Sequence, residues 1–233
     1  MATENTKPVL GVIGGMGPFA SAQFVLTIYN RSNATNEQQM PEVHLYSRPG
    51  IADRSVSLQE GTFDSFTESL ISLLQSAESS CDRMVICCFT SHNAWNDIPT
   101  HIREKLVNLV DYTLDLVRQS DEQVLLVATE GSYGGGIFLK NKPANLVLLE
   151  GQDIADIHTL IYDELKRGRS YQPVYDKLQE YKRKYNCTKI LAGCTELHLL
   201  KTAIAGDDTI LDPLWEMAGN IHKIIPERSL QTA

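Results

Sequence analysis

Two of the five cysteines in this 233-residue chain occupy matching places. Cys88 ends an apolar run in Ile86-Cys87-Cys88-Phe89-Thr90, and Cys194 follows another in Ile190-Leu191-Ala192-Gly193-Cys194-Thr195, roughly half a chain later. The C-terminal end of a strand is where parallel α/β sheets bind ligands, and a following helix N-terminus lowers a thiol pKa. A single cysteine in such a place reads as a buried structural residue. Two of them, one from each half of the chain, fit a specific chemistry. One thiolate removes an α-proton from one face of a carbon, and the opposite thiol protonates the other face, inverting it. Cys87 points to the other side of its strand from Cys88. Cys81 and Cys187 precede strands and have no such partner, so they read as inert.

The turn Gly14-Gly15-Met16-Gly17-Pro18 is a second candidate. Its glycines permit a sharp bend and a close backbone approach. Pro18 suits a first helical position, and a helix N-terminus offers free N–H groups to a carboxylate or phosphate. Gly15-x-Gly17-x-x-Ala20 also fits the dinucleotide fingerprint, which expects an acidic residue after the second strand. Ser47-Arg48 stands there instead, and an arginine accepts a 2′-phosphate. An NADP-binding reductase or a small-molecule binding module is thus an alternative reading, although it leaves Cys194 without a role.

These groups need elements to hold them. Short apolar runs at 9–13, 43–46, 84–88, 124–128, 146–149, 189–192 and 209–211 read as strands. Apolar residues at helical spacing predict helices over 19–31, 63–77, 154–166 and 170–185, a broken one from Trp95 past Pro99, and a closing one from Pro213. Residues 47–57 read as a polar loop and 131–136 as a flexible glycine turn. Strands spaced by helices predict parallel sheets. Both halves repeat the order strand, glycine turn, helix, strand, and later a strand running into a cysteine beside a threonine. The expected fold is α/β: two similar three-layer lobes with parallel sheets, related by a pseudo-twofold, with the site at their interface. The lobes are 1–115, carrying Cys88, and 116–233, carrying Cys194, with the helix from 213 packing back on the first.

Composition narrows the class. Hydrophobic residues at 42% and charged residues at 21% are ordinary globular usage. A net charge of −8 supplies no broad positive field, which argues against nucleic acid and anionic membrane as partners. The polar start carries no secretory signal, and an odd number of cysteines is not a disulfide framework. No zinc-ligand spacing occurs, so no metal is expected. A cytoplasmic protein with reduced thiols follows.

The segments Val9 to Pro18 (VLGVIGGMGP), Asp53-Arg54, Cys88 with Thr90 and His92, and Ala192-Gly193-Cys194-Thr195-Glu196-Leu197 together resemble the aspartate/glutamate racemase family, over nearly the whole chain and in order. The resemblance implies two α/β lobes, a homodimer, no cofactor, and racemisation of a small acidic amino acid or related carboxylate by two cysteines. It gives those roles to Cys88 and Cys194. It also implies substrate contacts from Met16 and Gly17 in the glycine turn, Arg54 and Lys166 on carboxylates, Thr90, Ser91 and Thr195 on the carboxylate or amine, and Ser132 in Leu126 to Ser132 (LVATEGS). The family usually has asparagine after the first cysteine, where this chain has Phe89, and often proline where it has His198. Phe89 enters the expected binding site as an apolar group. It supports an alternative in which the fold isomerises or decarboxylates a dicarboxylic acid or a modified amino acid.

Overall fold

The computed structural model describes residues 7–225; the outermost residues of both expected lobes lie outside that range. Among the described residues, eight strands form two parallel sheets: β1 (Val9–Gly14), β2 (Glu42–Ser47), β3 (Arg83–Ile86) and β4 (Leu106–Val107), then β5 (Val124–Val127), β6 (Leu146–Leu148), β7 (Lys189–Ala192) and β8 (Ile210–Leu211). The orders are β2-β1-β3-β4 and β6-β5-β7-β8. The topology is therefore the same in both halves.

Strand alternation sorts side chains into three apolar layers. Leu10, Val12, Val85 and Cys87 from the first sheet join Val124, Leu126 and Leu191 from the second in one shared central core. Met84, Ile86 and Cys88 face an outer layer under the helix Phe63–Glu78. Ile190, Ala192 and Cys194 face the opposite outer layer. Cys87 and Cys88 thus point apart, and Cys88 and Cys194 occupy equivalent faces of the two sheets.

The division expected after residue 115 falls inside the helix Leu109–Arg118, whose Val110, Leu114 and Val117 lie in the central core. The helix Pro213–Gly219 packs on Pro18–Arg31, a helix of the first lobe. A buried polar link reinforces that packing. Asp212 receives His198 Nδ1 at 2.5 Å, and His198 Nε2 meets Thr27 Oγ1 at 2.9 Å.

Several local expectations change. A helix, Arg54–Glu60, begins inside the expected loop because Asp53 caps it, accepting from the Ser55 and Val56 N–H groups. The glycine turn at 131–136 opens with a short helix, Glu130–Gly134. β4 and the helix Leu109–Arg118 replace the tail of the expected broken helix. Among the described residues no helix is long and apolar enough to cross a membrane.

Candidate active site

One small cavity lies where the C-terminal ends of β3 and β7 approach each other. The first lobe supplies Met16, Arg54, Cys88, Phe89 and Thr90; the second supplies Thr129, Ser132, Lys166, Cys194, Thr195 and Glu196. Its volume is about 10 Å³, close to the room one water needs. Gly131 allows this closeness: a β-carbon there would lie 2.5 Å from Ser55 Oγ and 3.0 Å from Ser55 Cα.

The backbone around Cys88 is pinned by His92. Burial pushes the His92 pKa down to about 4, so its ring is neutral near pH 7. Nε2 accepts from the Leu109 N–H at 3.2 Å, and Nδ1 then donates to the Cys88 carbonyl at 3.0 Å. Cys194 has a different setting. Its thiol donates to Glu196 Oε2 at 2.9 Å. Burial pushes the Cys194 thiol well above its ordinary value, and the Glu196 carboxylate pushes it further; Lys166 opposes both. Both effects favour the protonated thiol.

Two cations face the cavity. Burial opposes the Arg54 charge, but Cys88, Asp53 and Glu196 outweigh it and raise its pKa. The guanidinium donates to the Met16 carbonyl in the glycine turn. Lys166 follows a single π-helical turn, Ile161–Leu165, that continues the helix Gln152–Leu160; such turns recur at functional sites. Its ammonium sits 3.5 Å from the centre of the Tyr162 ring and 3.4 Å from Asp53 Oδ2. Burial opposes this charge too, and Glu196 is the chief group that raises it.

Asp53 ties the lobes together. It caps the helix carrying Arg54, and both its oxygens accept from the Tyr162 hydroxyl, at 2.9 and 3.0 Å. Burial alone would raise its pKa. Lys166 and Arg54, with the Val56 N–H and the Tyr162 hydroxyl, outweigh burial and hold it at about 2. Folding thus lowers this pKa from an ordinary value of about 3.9. The contribution is full above that value and is lost as pH falls through about 2. Asp53→Asn will reduce stability near neutral pH by about 1–2 kcal/mol, allowing for screening of a partly exposed group. Urea denaturation at about pH 7 and about pH 3 checks it, because the difference from wild type should shrink at the lower pH. An equal loss at both values would show that the carboxylate's charge is not what matters.

The remaining expected residues fall into three groups. Thr90, Ser132 and Thr195 line the cavity, and Thr90 Oγ1 lies 2.9 Å from Ser132 Oγ. Ser91 and Gly17 do not line it. Ser91 instead donates to the Met16 sulfur at 3.3 Å. Gly17 leaves space for Glu196, whose Oε1 would lie 2.5 Å from a β-carbon there. Phe89 borders the cavity, but its ring packs against Phe138 at 5.2 Å within the central core.

The dinucleotide alternative fares poorly in this geometry. Backbone atoms of Arg48 and Pro49 fill the open side of Gly15, and the Glu196 carboxylate stands at Gly17. An anion therefore occupies the place where a pyrophosphate would need donors. Glu196, Thr129 and Tyr162 were not singled out from sequence. Glu196 lies in the Gly-Cys-Thr-Glu-Leu segment, which is the one signal that could have found it.

Comparison with known proteins agrees with this architecture. The profile of the Asp/Glu/Hydantoin racemase family matches residues 13–219. An aspartate racemase from Picrophilus torridus is similar at 22% identity and a TM-score of 0.76, over 93% of each chain. A glutamate racemase from Francisella tularensis, in complex with D-glutamate, is similar at 16% identity and a TM-score of 0.55, over 97% of this chain and 85% of that one. An allantoin racemase from Klebsiella pneumoniae reaches 12% identity and a TM-score of 0.56, over 97% of each chain. The structural likenesses fix the fold, and the profile covers most of the chain: the protein belongs to the Asp/Glu/Hydantoin racemase family.

Proposed function

We propose that this protein racemises an acidic amino acid without a cofactor, passing the α-proton between Cys88 and Cys194. The observation that carries the proposal is the placement of both cysteines on one inter-lobe cavity, at equivalent strand ends. Cys88, near the Arg54 charge, removes the proton from one face as a thiolate. Cys194, a thiol in contact with Glu196, delivers a proton to the other face. The reverse reaction exchanges the roles. Arg54 and Lys166 hold carboxylates, and the Thr90, Thr129, Ser132 and Thr195 hydroxyls surround the reacting carbon. These donors stabilise the carbanion most strongly in a site closed to water.

An amino acid is far larger than the space present, so the lobes part to admit it and close over it. A homodimer, as the family resemblance implies, and a cytoplasmic location, as the polar start and unpaired cysteines suggest, are part of the proposal; sedimentation should return the mass of two chains.

The test is proton exchange in heavy water over L- and D-aspartate, L- and D-glutamate, and a set of related dicarboxylic acids. Each active amino acid should yield its antipode with deuterium at the α-carbon. Inversion without deuterium would remove the two-base mechanism. Phe89 motivates a second reading, because its ring offers no polar group where the family usually has an amide. Exchange confined to acids other than aspartate and glutamate would favour that reading.

A further inference from the structure

The short helix Glu130–Gly134 delivers Ser132 to the cavity, and the residue before it, Thr129, also lines that cavity. A threonine in that place ordinarily caps its own helix, its hydroxyl accepting from one of the first N–H groups. Thr129 makes no such bond. Its hydroxyl turns to the cavity instead, 3.4 Å from Thr90 Oγ1 and 3.5 Å from Ser132 Oγ. The helix start is held from elsewhere. His158 Nδ1, on the helix Gln152–Leu160, accepts from the Glu130 N–H at 3.3 Å.

His158 lies outside the cavity but touches what positions its walls. Its ring stacks on Tyr162 at 4.2 Å, and the Tyr162 ring in turn carries the Lys166 ammonium. With Nδ1 as acceptor, the proton of the neutral ring sits on Nε2, which stands 4.0 Å from Glu130 Oε2. Gln59 of the first lobe donates to the same oxygen at 3.3 Å. One side chain thus meets the start of the helix bearing Ser132, the tyrosine under Lys166, and a carboxylate that reaches across to the helix bearing Arg54.

We infer that His158 is a positioning residue for the racemisation: it anchors the start of the helix Glu130–Gly134 and so leaves the Thr129 hydroxyl free to serve the cavity. The inference rests on the racemase reading above and adds a residue that touches no substrate. It makes the site sensitive to acid. An imidazolium has two donors and no acceptor, whichever way the ring turns, so it cannot receive the Glu130 N–H. Burial opposes protonation most and holds the His158 pKa below its ordinary 6.5; Glu130 and Asp53 favour protonation, and Lys166 opposes it. Tyr162, stacked on the ring, stays un-ionised because burial raises its pKa. The neutral ring is therefore the form present at neutral pH, and the anchor is lost as pH falls through the lowered pKa. Thr129 is then the cap that remains, and its hydroxyl leaves the cavity for the free N–H groups of its helix.

Two variants of the whole protein separate the parts of the ring. His158→Phe keeps the stack on Tyr162 and removes the acceptor. His158→Asn gives up the stack but keeps an acceptor near Nδ1 that does not titrate. His158→Phe should lower kcat/KM for the racemised amino acid by about 10- to 100-fold near neutral pH. Adding Thr129→Val to it should cost little more, because the hydroxyl has already left. His158→Asn should keep most of the activity and lose the fall at acid pH that the wild-type protein shows. Full activity in His158→Phe overturns the inference, as does an acid limb unchanged in His158→Asn, or phenylalanine preserving what asparagine loses. The anchor is also read without substrate or variant. In the wild-type NMR spectrum the Glu130 amide shifts should follow the His158 titration, and an indifferent amide overturns the inference. The two readings fail separately: a coupled Glu130 amide without α-proton exchange removes racemisation alone, whereas racemisation with an indifferent amide removes only the role of His158.

Discussion

Serine in place of Cys88 or of Cys194 will each abolish racemisation, lowering kcat/KM by at least about 10²- to 10⁴-fold. The size follows from what the hydroxyl cannot do. It is far less acidic than a thiol, so it neither forms an anion near neutral pH nor releases a proton readily to a carbanion. Inversion requires both faces of the α-carbon to be served, and each sulfur stands at the end of a different sheet. One thiol therefore cannot cover for the other. The same logic leaves a residual signature. A variant with one working thiol can still remove a proton from its own face and return deuterium to it. Cys194→Ser should wash solvent deuterium into one enantiomer without inverting it, and Cys88→Ser into the other. Polarimetry reads the first effect and mass spectrometry or proton NMR the second. If either variant, shown to be folded by its melting curve, racemises at the wild-type rate, the two-thiol mechanism is wrong. Cys87→Ser is the internal control, since that side chain sits in the central core away from the cavity and should affect only stability.

The second large effect concerns folding rather than chemistry. Gly15→Ala will destabilise the protein by at least about 3 kcal/mol, the sum of a left-handed backbone penalty and overpacking against a rigid neighbour. Gly15 has φ of +91°, a conformation that costs an L-residue energy before any contact is considered. A β-carbon there would also lie 2.4 Å from the Arg48 nitrogen and 2.5 Å from the Arg48 carbonyl carbon. Those are backbone atoms, fixed by the Arg48 N–H to Gly14 carbonyl bond at 3.2 Å, and they cannot swing away. For a chain of this size such a loss corresponds to about 6–12 °C in Tm, which a thermal scan measures. A variant melting within a degree or two of wild type would mean that the turn tolerates a side chain. Activity should fall with it, because Met16, in this turn, receives the Arg54 guanidinium on its carbonyl.

The sheets were legible in the residues because buried parallel strands are continuous apolar runs, and β1, β3, β5 and β7 are of that kind. β4 and β8 escape such a reading or blur in it, since a two-residue strand has no period of its own. The helix Arg54–Glu60 was hidden because its polar sequence shows no apolar stripe; the Asp53 cap was its only local mark. The site divides along the same line. Cys88 and Cys194 could be picked out because chain position and strand parity are one-dimensional facts. Asp53 with Tyr162, and Glu196 with Gly17, could not be paired, because each contact joins residues far apart in the chain.

The sequence by itself determined the class of fold, the repetition of its halves, and the pair of thiols, all of which depend on periodicity and local motif. Tertiary structure decided what those thiols face. Packing the two sheets around one shared core brings the strand ends together around a cavity with room for about one water. In that confined space a carboxylate two residues from Cys194 becomes its hydrogen-bond partner, and two cations are raised in pKa rather than neutralised. Phe89, expected as a substrate contact, borders the cavity and also packs its ring against Phe138 of the other lobe. Such effects arise from distance and burial between remote residues, and no order of residues along a chain states them.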